Sequence, residues 1–84
     1  MKRVNEVAII DKGQVAKVES LGIQREDTWL YYIKDNAVWR VGAKRHGKPM
    51  SPPEPVRNTE IETDDKDYIY FLDKDGDLAV YKRA

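Results

Sequence analysis

The acidic run DKDGD at residues 73–77 comes closer to a metal site than any other stretch of this chain. Aspartates at alternate positions open the calcium loop of an EF-hand, and here they are Asp73, Asp75 and Asp77. The match ends there, because Leu78 stands where that loop has its turn glycine and Ala84 where it has a bidentate glutamate. We interpret the run as a hairpin turn with solvated carboxylates. We predict no metal site and no cofactor.

Groups that could carry catalysis are scarce. His46 is the single histidine, and no acidic residue lies within seven positions of it. The two serines, Ser20 and Ser51, lack the flanking glycines of a nucleophile elbow, and no glycine-rich phosphate loop is present. The sequence therefore favours a protein that is not an enzyme and has no small-molecule substrate.

Two groups of side chains could instead bind a macromolecule. The first is aromatic and is predicted to form a protein-binding face: Trp29, Tyr31, Tyr68 and Tyr70. The second is a basic patch beside the single histidine: Arg40, Lys44, Arg45 and Lys48. Aromatic rings beside a positive groove are how small β-barrels hold single-stranded nucleic acid. Two other interpretations stay open: the rings could fill a second layer of the domain, and the basic group could pair with the acidic residues 60–67.

These side chains lie on short apolar runs that are joined by polar turns. The runs at residues 29–33 and 68–72 are rich in aromatic and β-branched residues, and a shift of 39 positions superimposes the two hairpins that they begin. Residues 7–18 look like a weaker third copy. Lys12-Gly13, Asp35-Asn36 and Asp75-Gly76 supply the turns. We predict strands at residues 4–11, 14–20, 28–34, 37–43, 67–73 and 77–82.

The alternation of side chains along a strand assigns each residue to a face. Arg40 should prefer water, which places Trp39, Val41 and Ala43 inside. The 39-residue match then predicts that Leu78 and Val80 also point inward. On the first strand of each hairpin, Ile69 and Phe71 are better core residues than the tyrosines beside them. The further side chains assigned to the interior are therefore Leu30, Tyr32, Ile69, Phe71, Val7 and Ile9. The aromatic group is left on the opposite face, where a sheet covered on one side normally carries polar residues.

A proline-rich loop at about residues 45–58 separates the second hairpin from the third. Its four prolines exclude a helix or a central strand. The sequence leaves open a short strand at residues 56–63, where Val56 and Ile61 are the only apolar residues. Its two PxxP spacings could dock on an aromatic groove, although a stiff connector has the same composition.

The bulk composition fits one small domain at residues 1–84. Basic and acidic residues balance at 15 each, so the chain has no global attraction to nucleic acid. Residues 1–57 carry 11 basic against 7 acidic residues and residues 58–84 carry 4 against 8, so the two parts differ in sign. No cysteine, secretory pattern or membrane span is evident, which predicts a cytoplasmic protein.

The sequence thus predicts an all-β fold, a small antiparallel meander of five or six strands in three hairpins, closed as a barrel or packed as a sandwich. The expected function is non-enzymatic protein binding, by the aromatic face or by an edge strand. The partner would be another protein or a second copy in a homodimer. The alternative is a small β-barrel that binds single-stranded nucleic acid through the aromatic group and the basic patch.

Overall fold

A computed structural model describes residues 1–42 and 52–84 of the chain. Among these residues the elements are α1 (Val4–Val7), β1 (Val15–Glu19), β2 (Trp29–Lys34), β3 (Ala37–Gly42), β4 (Glu54–Asn58), β5 (Tyr68–Leu72) and β6 (Leu78–Lys82). The predictions made for Ala43, Lys44, Arg45, His46 and Lys48 lie outside the described residues. Within the described ranges, α1 is the only helix, and its four residues are far too few to cross a bilayer.

Two hairpins form where the sequence predicts them. Asp35 and Asn36 join β2 to β3, and both have positive φ angles, 51° and 59°. Such a primed two-residue turn matches the twist of the strands that it connects, and short polar residues tolerate it best. The turn from β5 to β6 contains Gly76 at a φ of 79°. Turn chemistry therefore explains the second and third hairpins.

The six strands form two antiparallel sheets of three strands, in the orders β1–β6–β5 and β2–β3–β4. The sheets meet where β2 lies against β5, and they pack like a sandwich rather than closing as a barrel. The prediction of an all-β antiparallel fold with six strands is confirmed. Of the two closures considered, the barrel is wrong.

The predicted first hairpin does not form. Residues 4–7 make a helical turn, and Ala8 is already extended, with φ −154° and ψ 145°. Strand β1 pairs instead with β6, with Ala16 opposite Val80. This arrangement buries both Val4 and Ile10 and gives the central strand β6 a neighbour on each edge. The prediction that Val7 and Ile9 point inward is wrong, because both are exposed.

The end of the predicted proline loop is a strand. β4 pairs with β3 at an edge of its sheet, with Pro55 opposite Trp39 and a register shift between Val38 and Trp39. An edge strand tolerates proline because the missing N–H can face away from the ladder. The composition therefore excluded a central strand correctly, but the loop does not extend to residue 58.

The core lies between the inner faces of the two sheets and the connecting segments. Leu78 and Val80 are fully buried, as predicted, and Val38 is buried with them. The buried nonpolar cluster consists of Val4, Ile10, Leu21, Val38, Ile61, Tyr68, Leu72, Leu78 and Val80.

Candidate functional site: the outer sheet faces

The four aromatic residues predicted to form a binding face lie on the inner sides of the two sheets. Tyr68 is only 8% exposed and belongs to the core, so the expectation of an exposed ring is wrong there. Tyr70 and Tyr31 pack against that core, and the Tyr68 and Tyr70 ring centroids are 6.3 Å apart. Trp29 is half-buried at the far end of β2. The four rings therefore belong to two different sheets, and each sheet supplies one pair.

The face of β3 is inverted relative to the prediction because Arg40 finds partners on the inner side. Its guanidinium stacks 4.1 Å above the Trp29 ring, and its Nε is 2.5 Å from Oε1 of Glu54. The assumption that Arg40 must face open water therefore fails. The alternation of β3 then turns Val38 inward and Trp39 outward, the reverse of the prediction.

The outer face of the β2–β3–β4 sheet carries nonpolar side chains across all three strands. Cross-strand partners share a face, and the register pairs Leu30 with Val41 and Tyr32 with Trp39. Leu30 is 54% exposed, which corrects its predicted burial, and the other three are half-buried. The Trp39 indole donates its Nε1–H to the carbonyl of Lys34 at 3.0 Å, which fixes the ring across the strand. We define outer face A as Leu30, Tyr32, Trp39, Val41 and Pro55.

The outer face of the β1–β6–β5 sheet is similar in character. Tyr81 of the central strand is paired with Val15 on one side and with Ile69 on the other. Val15 is 60% exposed and Ile69 is 45% exposed, so the predicted burial of Ile69 is wrong. Phe71, also predicted inside, is half-buried on the same face. We define outer face B as Val15, Ile69, Phe71 and Tyr81.

No residue of either outer face belongs to the buried core cluster, and none of their half-buried side chains packs against it. A sheet covered on one side normally presents polar residues to solvent. A contiguous apolar patch that stays exposed on a folded domain commonly marks an interaction site. The two outer faces are therefore the candidate site. The sequence analysis assigned most of these residues to the interior.

The basic patch is only partly described. Arg40 is paired with Glu54 and also lies 4.0 Å from Glu26. The hydrogen bond to Glu54 raises the pKa of Arg40 above its usual value. Arg25 stacks 5.3 Å from the centre of the Tyr31 ring, and the Tyr31 hydroxyl accepts a hydrogen bond from the Glu26 N–H. Arg40 is thus already neutralised within the chain.

The acidic turn at residues 73–77 holds an internal cation. The Lys17 ammonium is 2.7 Å from Asp77, 3.3 Å from Asp75 and 3.7 Å from Asp73. The Lys17 ammonium thus interacts with the same three carboxylates that a calcium ion would need as ligands. Among residues 1–42 and 52–84, no group of three or more histidines, cysteines and carboxylates could hold a metal ion.

Asp77 also fastens the connector between β1 and β2 to this turn. Its Oδ1 accepts the N–H groups of Leu21 and Gly22, both at 2.8 Å. The hydrogen bond from Lys17, followed by those two backbone N–H groups, lowers the pKa of Asp77 to about 2. The turn is therefore a structural clamp, which corrects the view of its carboxylates as merely solvated.

Among the described residues, two of the four edge strands, β1 and β4, carry features that discourage pairing with another chain. β1 has a bulge between Lys17 and Glu19, with the charge of Lys17 in mid-strand. β4 has Pro55 and the register shift opposite Val38 and Trp39. Charges, prolines and bulges on edge strands all hinder edge-to-edge association. These contacts favour docking on a face over strand addition at β1 or β4.

Comparisons with protein-family models, with curated proteins and with solved structures give no match for this chain.

Proposed function

We propose that this chain is a non-enzymatic protein-binding module whose partner docks on the outer sheet faces. One observation carries the proposal: outer faces A and B present nonpolar and aromatic side chains that are exposed or half-buried and lie outside the core. Tyrosine, tryptophan and phenylalanine are the residue types enriched where proteins bind one another. The partner surface that fits is itself largely nonpolar.

Rigidity supports this assignment. Trp39 is held by its hydrogen bond to Lys34, and Tyr81 lies on the central strand of its sheet. Side chains fixed before binding lose less conformational entropy when a partner docks. Both faces therefore consist of rings and branched side chains on regular strands, which are more precise platforms than loops.

Single-stranded nucleic acid is a weaker fit to the described residues. The Trp29 ring is covered by Arg40, and Tyr68 is in the core, so two of the four predicted stacking surfaces are occupied. Arg40 is also paired with Glu54. A balanced net charge adds no long-range attraction to phosphates.

Site-specific photo-crosslinking tests the proposal. A photoreactive residue is placed at Leu30 on outer face A, at Ile69 on outer face B, and at Gln24, an exposed polar residue of the connector, as the control. We expect a discrete protein adduct from an outer-face position and none from Gln24. The purified pair should then bind in solution, and Trp39→Ser or Phe71→Ser should weaken that binding at least about tenfold, since central aromatic anchors dominate interfaces.

The salt dependence of binding separates the two functions. An apolar protein interface should keep its affinity between about 50 and 200 mM salt, whereas binding to phosphates falls steeply over that range. Equal crosslinking from Gln24 and the outer faces would contradict the proposal. So would binding of single-stranded DNA that collapses as salt rises while no protein adduct forms.

A further inference from the structure

The segment of residues 8–11 exposes the most solvent-accessible large nonpolar side chain in the described part of the chain. Ile9 is 100% exposed, whereas its neighbour Ile10 is buried in the core cluster. Val4 is also buried, so the core holds the chain before the segment at Val4 and within it at Ile10. We call residues 8–11 the unpaired segment.

The unpaired segment has the conformation and composition of a strand but lacks a strand partner. Ala8 is extended, and successive side chains alternate between the core at Ile10 and solvent at Ile9. Within the described residues, no hydrogen bond is made by the backbone of Ile9 or Ile10. β-Branched residues are the ones that strands prefer, which is why the sequence predicts a strand here. Unpaired N–H and C=O groups beside an exposed isoleucine are a template for another strand.

This segment also lacks the features that protect the edges of β1 and β4. Between Ala8 and Asp11 it contains neither proline nor a charged residue, and its one charge, Asp11, lies at its end. Natural proteins block an edge that must stay single, and both sheet edges described above are blocked. The unpaired segment carries no such block between Ala8 and Asp11.

We propose that the unpaired segment is completed by the same segment of a second copy, with the two segments antiparallel and Ile9 facing Ile9 across the two-fold axis. In this register Ala8 of each copy lies opposite Ile10 of the other. Glu6 precedes the segment and Lys12 follows it, and both are exposed, so opposite charges meet at both ends. The zero net charge of the chain means that two copies do not repel one another overall.

Symmetry makes the register self-consistent. A two-fold interface uses the same residues on both copies, and antiparallel strands related by such an axis place one residue opposite its own copy. Ile9, which is fully exposed in one copy, then packs against an identical side chain. This pairing does not involve outer faces A and B, so it is independent of the proposed function.

Charge substitution at position 9 tests the proposal with the intact chain. Sedimentation equilibrium should show a monomer–dimer equilibrium for the wild type. Ile9→Glu and Ile9→Lys should each raise the dimer dissociation constant at least about tenfold, because like charges then face each other. An equimolar mixture of Ile9→Glu and Ile9→Lys should restore the dimer as a heterodimer. Because Ile9 makes no core contact, circular dichroism should show both variants folded.

Leu30→Glu is the matched control, since it places the same charge on an exposed nonpolar residue of outer face A. It should leave the dimer unchanged. Hydrogen exchange should show amide protons of residues 8–11 becoming protected as the protein concentration rises. A monomer at every concentration up to about 1 mM, a range that covers weak specific binding, would overturn the proposal. So would a dimer that Leu30→Glu abolishes and Ile9→Glu leaves intact, or a mixture of the two charged variants that stays monomeric.

Discussion

At the scale of single residues, Asp77 connects the pH of the solution to the integrity of the fold. The folded pKa of about 2 is below the ordinary value of 3.8, so the ionised form is favoured by folding. The stability that this preference contributes is fully present above about pH 4 and is lost as the pH falls through about 2. Acid titration followed by tryptophan fluorescence should therefore show a loss of stability in this window.

Asp77→Asn should weaken this acid dependence and lower stability at neutral pH, because the amide cannot attract Lys17 as a carboxylate does. Asp75→Asn is the control, since the Asp75 side chain is 61% exposed and accepts no backbone hydrogen bond from the connector. Its acid titration should resemble that of the wild type. Identical titrations for all three proteins would contradict the role given to Asp77.

Tyr70 offers a second residue-scale test. Its hydroxyl is buried without a hydrogen-bond partner among the described residues, and burial, followed by the charge of Asp65, raises its pKa to about 12. A buried, unsatisfied hydroxyl costs free energy, so Tyr70→Phe should stabilise the domain by about 1 kcal/mol. Tyr31→Phe should instead destabilise it slightly, because the Tyr31 hydroxyl accepts the Glu26 N–H. Urea unfolding of the two variants measures whether each change raises or lowers the unfolding free energy.

At the scale of elements, the β5–β6 turn and the connector between β1 and β2 are held in direct backbone contact. The Ile23 N–H donates to the Gly76 carbonyl at 2.9 Å, and Arg25 reaches the carbonyls of Leu72 and Asp73. A β-carbon on Gly76 would lie 1.7 Å from the Ile23 carbonyl oxygen. Only glycine fits this approach.

Two glycines with nearly the same φ angle allow the cost of a steric clash to be measured apart from the cost of the positive φ angle itself. Gly13, at 81°, has open space around it, whereas Gly76, at 79°, faces Ile23. Gly13→Ala should cost about 1 kcal/mol of unfolding free energy, the cost of a left-handed residue. Gly76→Ala should cost about 3 kcal/mol or more, because the steric clash is added. If urea unfolding shows the same loss of unfolding free energy for both variants, the close approach of Gly76 to Ile23 does not constrain the fold.

The strand pairings show which parts of the fold could be predicted from sequence patterns. Turn chemistry located the β2–β3 and β5–β6 hairpins because both turns are local and depend on a few residues such as Asn36 and Gly76. The pairing of β1 with β6 was missed because it joins distant parts of the chain and no short-range pattern encodes it. The face of β3 was inverted because Arg40 was assumed to be solvated. The faces of β2 and β5 were inverted because Ile69 and Phe71 were taken for better core residues than the tyrosines beside them, whereas the inward direction of Leu78 and Val80 on β6 was predicted correctly. An ion pair with Glu54 that forms across strands could not be read locally.

At the scale of the whole molecule, the assignment of inner and outer faces can be measured directly. Leu78→Ala removes a fully buried side chain and should cost about 2–5 kcal/mol. Ile69→Thr changes a side chain that is 45% exposed on outer face B and should alter stability by no more than about 0.5 kcal/mol. Urea unfolding of both proteins provides the comparison. A large loss of unfolding free energy for Ile69→Thr would mean that Ile69 lies in the interior and that outer face B is assigned wrongly.

The candidate site depends on this same assignment. Composition alone indicated that the chain has more apolar strand surface than one small core can cover. The strand pairing was needed to show which apolar residues stay outside the core. If β5 is turned over, Ile69 takes the place of Tyr68, and if β2 is turned over, Leu30 takes the place of Trp29. The sequence indicated how many nonpolar residues the strands carry, but it gave the correct direction only for those of β6, Leu78 and Val80.

The pairing of β1 with β6 has a consequence for the way the protein is made. A ribosome releases β1 early, but Val80, which lies opposite Ala16, is synthesised 64 residues later. During that delay β2, β3 and β4 can assemble, since they are close neighbours in the chain, whereas β1 has to wait. The nascent polypeptide thus exposes β1 without its partner strand until β6 has left the ribosome, and ribosome stalling before β6 should leave Val15–Glu19 open to proteases or chaperones.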